Sequence, residues 1–191
     1  LLYKVVGKGT SLMTNIRSDD CVEIMGPLGQ GFTLSNKKNV LLVGGGVGVA
    51  PLIYLARRLK ELQCDVTLMH GAEEKSQLIK ETKLQEIGIN YISATVDGSQ
   101  GYQGYVTDLL IKDTKPKQVD LIYTCGPEAM MSIVAQYATN HNIDGYLSLE
   151  EYMACGIGAC LGCVKKLRSS DHAYVKVCKD GPVFGLHEID I

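Results

Sequence analysis

Four cysteines near the end of this 191-residue chain, Cys155, Cys160, Cys163 and Cys178, follow one another in the order C-x4-C-x2-C-x14-C. That is the spacing with which plant-type [2Fe–2S] clusters are ligated, and the chemistry it points to is the carrying of single electrons. The first three stand between Met153 and Cys163, where three glycines and two alanines alternate with the thiols. Small residues let a backbone wrap closely round an inorganic core and aim its amides at the sulfurs. Two other readings stand beside this one. Four thiolates can hold structural zinc, although zinc ligands commonly come in two short knuckles and only one is present here. Clustered cysteines can also be disulfides or plain buried thiols. Seven cysteines is an odd count, which leaves one outside any closed disulfide framework and suits metal ligation in a reducing compartment. Cys21 and Cys64 sit beside apolar residues and read as small core or edge residues.

A second motif is Gly44-Gly45-Gly46-Val47-Gly48-Val49-Ala50-Pro51. It follows an apolar β-like run and opens a helical pattern, where free amides and the helix dipole can hold a pyrophosphate. It does not match G-x-G-x-x-G in any register, and a glycine-rich turn can also serve close packing alone. Three more strand ends carry glycine beside a polar or sulfur residue: Gly71-Ala72-Glu73, Asp97-Gly98-Ser99 and Cys125-Gly126-Pro127-Glu128. Ligands of open α/β sheets lie beyond the carboxyl ends of the strands, so these four segments are expected to line one crevice. Glu73 stands where an acidic residue accepts ribose hydroxyls, but the departure from the Rossmann pattern leaves NAD versus NADP open.

The elements that must position these residues alternate. Strands are expected at Val40 to Val43, Asp65 to His70, Asn90 to Val96, Asp120 to Cys125 and Tyr146 to Leu149. Helices are expected at Pro51 to Leu62, Leu78 to Ile87, Val106 to Lys112 and Pro127 to His141. Strand then helix, repeated, implies an α/β fold with a doubly wound parallel sheet. Before it, Leu2 to Val6 and Cys21 to Met25 read as two further strands, and Gly26-Pro27-Leu28-Gly29 as a tight turn. The periodic pattern fails beyond Ser148. The expected division is therefore 1–36, 37–147 and 148–191, the last being small enough for a metal centre to supply much of its stability.

A net charge of −2 gives no electrostatic reason to expect nucleic acid. The longest apolar stretch, Asn39 to Ala56, holds several glycines and a proline and reads as strand, turn and helix rather than a membrane span. The chain opens without methionine on the apolar run Leu1 to Val6, which reads as the inside of a larger, N-terminally truncated domain. Lys165, Lys166 and Arg168 read as a solvated charged run, with docking to an acidic partner as the alternative, and Glu151 as solvated. The four histidines are dispersed and form no ligand set.

The glycine loop, the Thr124-Cys125-Gly126-Pro127 turn and the Gly26-Pro27-Leu28-Gly29 turn resemble the ferredoxin-reductase flavoprotein family. The tail from Ser148 to Cys163, with Val177 to Phe184, is more specific. It resembles the electron-transfer subunits of bacterial type B dihydroorotate dehydrogenases, and the likeness runs from Leu2 to Phe184. The resemblance implies a flavin-binding β-barrel, of which residues 1–36 are a remnant, then a pyridine-nucleotide domain, then a [2Fe–2S] domain ligated by Cys155, Cys160, Cys163 and Cys178. It implies FAD contacts at Leu2, Tyr3, Lys4, Gly9 and Thr10, and NAD as substrate over Gly44, Gly45, Gly46 and Gly48 with Gly126 and Pro127. It places Cys125 beside the nicotinamide and flavin rings as a catalytic residue, with a buried structural thiol as the alternative. The family's other barrel motif for FAD has no counterpart here, so the flavin pocket of this chain is expected to be incomplete. The implied partner is an FMN-containing dihydroorotate dehydrogenase catalytic subunit, in a cytoplasmic heterotetramer serving pyrimidine biosynthesis. A stand-alone NAD(P)H-dependent iron–sulfur flavoprotein reductase and a zinc-stabilised nucleotide-binding adaptor are the alternatives.

Overall fold

The computed structural model describes residues 2–170 and 172–191. Leu1, the first residue of the opening apolar run, lies outside them. After a short helix α1 (Lys8–Met13), the chain alternates: β1 (Asn39–Gly45), α2 (Val49–Glu61), β2 (Asp65–Ala72), α3 (Glu81–Gln85), β3 (Asn90–Thr95), β4 (Tyr102–Gln103), α4 (Val106–Asp113), β5 (Leu121–Cys125), α5 (Glu128–His141) and β6 (Asp144–Ser148). The C-terminal segment adds β7 (Val164–Lys166), β8 (Tyr174–Lys176), a single turn α6 (Val177–Asp180) and β9 (Val183–Gly185).

Seven strands form one sheet in the order β4-β3-β2-β1-β5-β6-β9, parallel throughout except for β9, which runs antiparallel to β6. Apolar runs such as Val40–Val43 are buried on both faces, as parallel strands between helical layers require. On one face α2 lays Leu52, Leu55, Ala56 and Leu59 against the sheet; on the other α4 and α5 contribute Leu109, Leu110, Met131, Val134 and Ala138. The chain travels outward from β1 through β2 to β4, then returns to build β5 and β6 on the other side of β1. The order therefore reverses between β1 and β5, and there the carboxyl ends open a crevice.

Two expectations fail. Leu2 to Val6 and Cys21 to Met25 are not strands; among the described residues no strand precedes β1. Their apolar side chains, Leu2, Val5, Val6, Val22, Ile24 and Met25, stay exposed, because a strand needs a paired neighbour and nothing in this segment supplies one. The helix expected over Leu78 to Ile87 is confined to Glu81–Gln85, since Leu78 keeps an extended ψ of 148° and Gly88 ends the turn at φ +73°.

The segment before β1 is nevertheless tied down at its end. Gln30 bridges to Pro182, Phe32 packs edge-on to Tyr123 at 5.4 Å, and the Tyr123 hydroxyl donates to the Thr33 carbonyl at 2.6 Å. The C-terminal segment shares the core rather than standing apart: Cys163, Val177, Cys178, Phe184, Leu186 and Ile189 are buried in the cluster that holds α4 and α5. Among the described residues no helix is long and apolar enough to cross a membrane.

Candidate functional site

At the reversal point the ends of β1 and β5 meet through glycines. A Cβ on Gly48 would stand 2.7 Å from Gly126 Cα, and one on Gly45 would stand 2.8 Å from Pro127 Cδ. Gly46, at φ +54°, turns the chain into a single 3-10 turn, Gly46–Gly48, which runs on into α2. Gly44 packs against Val49 and serves the packing of this turn. A cavity of about 520 Å³ opens beside the loop, walled by Gly45, Gly46, Gly71, Glu73, Pro127 and Met130. Val106 and Thr107 of α4 and the preceding Tyr105 close its far side, residues that no sequence motif marked. The crevice thus unites three of the four expected strand ends. Asp97-Gly98-Ser99 does not line it; the Asp97 carboxylate accepts from the Ser99 hydroxyl at 2.6 Å and from its amide at 2.9 Å, bonds that close the turn on itself and hold that carboxyl below its usual range.

The residues expected to touch FAD divide. Leu2, Tyr3 and Lys4 line a neighbouring cavity of about 510 Å³ together with Gly46, Val47 and Ile53. Thr10 instead caps α1, its hydroxyl accepting from the Val6 amide at 2.9 Å, and Gly9 is exposed on the same turn with no atom near its missing side chain.

The four thiols come together in two pairs. The Ala159 and Cys160 amides donate to Cys155 Sγ at 3.3 and 3.4 Å. The Cys160 amide first, then the Ile157 amide and the Cys160 thiol, bring the Cys155 thiol down to about 6. In the second pair the Cys178 amide donates to Cys163 Sγ at 3.4 Å, and the Cys163 thiol is the largest cause of a raised Cys178 pKa. Left-handed Gly156, Gly158 and Leu161 bend the loop round, and Gly158 lets it close on Lys179 beside Cys178. Among the described residues no three Cys, His, Asp or Glu side chains converge as a single ion requires. Two and two, with backbone amides aimed at sulfur, fits the two irons of a binuclear cluster better than a tetrahedral zinc. Cys160 is exposed and Cys155 half-buried, while Cys163 and Cys178 are buried. Cys64 is a core thiol and Cys21 is exposed.

Cys125 ends β5 at the reversal point, its carbonyl 2.8 Å from where a Gly48 Cβ would be. Its side chain is buried on the α2 face, and burial, with Glu150 nearby, pushes the thiol up to about 12. It is therefore a neutral thiol at physiological pH. Sequence reasoning missed a bridge between the two sites. Lys165 of β7 reaches Glu151 at 2.7 Å and also Glu128, the first residue of α5. Neither Lys165 nor Glu151 is a solvated surface charge; their side chains are 21% and 20% exposed, and the bonds to Glu128 first and Glu151 second raise the lysine pKa. No local pattern announces this contact, because 37 residues separate Glu128 from Lys165.

A doubly wound sheet with a glycine-cradled crevice at its reversal point, beside paired thiols in a small C-terminal segment, defines an iron–sulfur oxidoreductase of the pyridine-nucleotide type. Comparisons narrow the class. Residues 42–136 match the family described as oxidoreductase NAD-binding domain, and residues 150–190 match the iron–sulfur cluster binding domain of dihydroorotate dehydrogenase B. The chain is 42% identical over 194 residues to the dihydroorotate dehydrogenase B (NAD(+)) electron transfer subunit of Listeria innocua, spanning 100% of this chain and 74% of that protein. The corresponding subunit of Geobacillus sp. is 42% identical over 192 residues, spanning 99% of this chain and 73% of its own. Among solved structures, an NADH-dependent reduced ferredoxin-NADP oxidoreductase superposes with a TM-score of 0.83 at 34% identity, covering 98% of this chain and 67% of that one. The chain belongs to the family of dihydroorotate dehydrogenase B electron transfer subunits.

Proposed function

We propose that this chain passes electrons from the FMN of a dihydroorotate dehydrogenase catalytic subunit to NAD+, in pyrimidine biosynthesis. The observation that carries the proposal is the pairing of four thiols beside a nucleotide crevice in one folded unit. When bound, a [2Fe–2S] cluster carries electrons singly, FAD trades single electrons for pairs, and NAD+ accepts a pair as hydride.

The chain's own residues bind and orient. Cys155 and Cys160 would hold one iron, Cys163 and Cys178 the other, and the amides of Ala159, Cys160 and Cys178 already point at ligand sulfurs, where they stabilise negative charge. Gly45, Gly46 and Gly48, with Gly126 and Pro127, would hold the dinucleotide: the first form the turn at the head of α2, where a helix N-terminus favours a pyrophosphate, and the second keep the opposite wall low. Gly44 supports that loop from behind. Leu2, Tyr3 and Lys4 would meet FAD beside Val47, and Gly9 and Thr10 would do so only if α1 shifts. Cys125, buried behind the turn and lining neither cavity, would stand as a neutral thiol close to where the rings meet without adding charge there. Residues 1–36, 37–147 and 148–191 then act as flavin, nucleotide and cluster modules of a cytoplasmic heterotetramer.

One further reading has an observation behind it. The similarity to a ferredoxin-NADP oxidoreductase suits a reductase that works without a dihydroorotate partner. Co-expression of the full-length chain with the catalytic subunit decides. Reduction of NAD+ that requires dihydroorotate and both chains supports the proposal; an equal rate without the catalytic subunit rejects it.

A further inference from the structure

His70 lies two residues before the end of β2 and is wholly buried, on the sheet face covered by α2. Both ring nitrogens are engaged. Nε2 lies 3.0 Å from the Gly46 carbonyl oxygen, and Nδ1 lies 3.2 Å from the Tyr91 hydroxyl. A carbonyl oxygen only accepts, so Nε2 carries the proton and donates to Gly46; Nδ1 then accepts from Tyr91. Burial, which lowers the pKa of this histidine, is consistent with the neutral ring.

Gly46 is the left-handed residue that opens the 3-10 turn at the head of α2, and its carbonyl also accepts from the Val49 amide. That one oxygen is held from inside the turn and from β2. In a planar trans peptide the Gly46 C=O and the Val47 N–H point in opposite directions. Anchoring the carbonyl on His70 therefore turns the Val47 amide away from the core, as a helix N-terminus must present its amides to an anion. Gly46 lines both neighbouring cavities, so the anchored peptide sits at their junction.

We infer that His70 is a positioning residue for nucleotide binding: it fixes the Gly46–Val47 peptide so that the glycine turn is ready for a pyrophosphate before the ligand arrives. Tyr91 sets the tautomer that makes this possible. The inference rests on reading the crevice as the dinucleotide site.

The test uses the full-length chain with its catalytic partner, titrated with NADH, and the variants His70→Leu, His70→Gln and Tyr91→Phe. Loss of one buried hydrogen bond predicts about tenfold weaker NADH binding in His70→Leu. Gln keeps a donor near the position of Nε2, and His70→Gln is expected within about threefold of the parent, with Tyr91→Phe between the two. KM for NAD+ should follow these changes while cluster absorbance and kcat hold. Unchanged NADH affinity in His70→Leu overturns the inference, as does equal weakening by Leu and Gln with equal loss of Tm, which marks a space-filling role. Should His70→Leu fail to fold, parental affinity and KM in Tyr91→Phe would overturn it as well. Parent protein that binds no NADH overturns the crevice reading itself, and this inference with it.

Discussion

Gly126 occupies the space that a side chain on Gly48 would need. A Cβ built on Gly48 stands 2.7 Å from Gly126 Cα and 2.8 Å from the Gly126 amide nitrogen, so the loop after β1 and the turn after β5 touch backbone to backbone. Backbone cannot step aside as a flexible side chain can. Gly48→Ala should therefore push the two strand ends apart, costing about 1–3 kcal/mol as overpacking does and weakening NADH binding with it. Gly46→Ala meets open space and bears only the strain of φ +54°, about 1–2 kcal/mol. Thermal unfolding and NADH titration of both variants check the pair, with the greater loss of affinity expected at Gly48.

Lys165 stands between Glu128 and Glu151, one at the nucleotide end of α5 and the other four residues before the first cluster cysteine. Lys165→Met leaves those carboxylates without the cation between them. The stability cost should be about 1–3 kcal/mol, set by Glu151, which is only 20% exposed and loses its partner, rather than by half-exposed Glu128. The larger effect is expected on turnover from dihydroorotate to NAD+, which depends on how the cluster segment sits against the crevice. Oxidation of NADH by ferricyanide through the flavin should fall less. Equal losses in the two assays would show that the bridge only stabilises the fold.

Burial holds His70 neutral and its pKa below the ordinary value near 6.5. The unfolded chain binds that proton and the folded one does not, so stability is full above about pH 6.5 and declines as the pH falls from there toward the folded pKa. His70→Gln has no such proton to bind. Unfolding midpoints measured between pH 5 and 8 should fall on the acid side more steeply in the parent than in the variant.

The thiols differ in what else they do. Cys160 is exposed, so Cys160→Ser should remove the cluster absorbance at little cost to the fold; Cys163 and Cys178 are buried in the core shared with α5, and serine there should cost about 1–3 kcal/mol besides. Cys64→Ser should leave cluster content unchanged. Removing the iron with a chelator should loosen the loop from Cys155 to Cys163 while β6 and β9 keep their protection in hydrogen exchange, because their pairing does not depend on the thiols.

The sequence carried the alternation of strands and helices, and with it the reversal point, because buried parallel strands must be apolar throughout and amphipathic helices keep their period. It also carried the thiol spacing, which is a local property of one loop and one turn. Other features rest on contacts far apart in the chain. Leu2 to Val6 has strand composition but no strand beside it, so its pattern went unrealised. Leu78 has helical spacing yet stays extended where it walls a cavity. Lys165, in a basic run, looked solvated until folding set Glu151 and Glu128 against it, and His70 looked solitary until Gly46 and Tyr91 closed on its ring. The attachment of the C-terminal segment to the sheet through β9 and Phe184 is likewise a long-range contact that its glycine- and cysteine-rich sequence does not display.

Whether Cys155, Cys160, Cys163 and Cys178 together hold two irons and two sulfides is answered by electron paramagnetic resonance of the dithionite-reduced, anaerobically prepared full-length protein. Ligation by these four thiols gives a spin-half signal integrating to about one spin per chain, lost in Cys160→Ser. A silent spectrum from protein carrying one zinc and no iron per chain would contradict it.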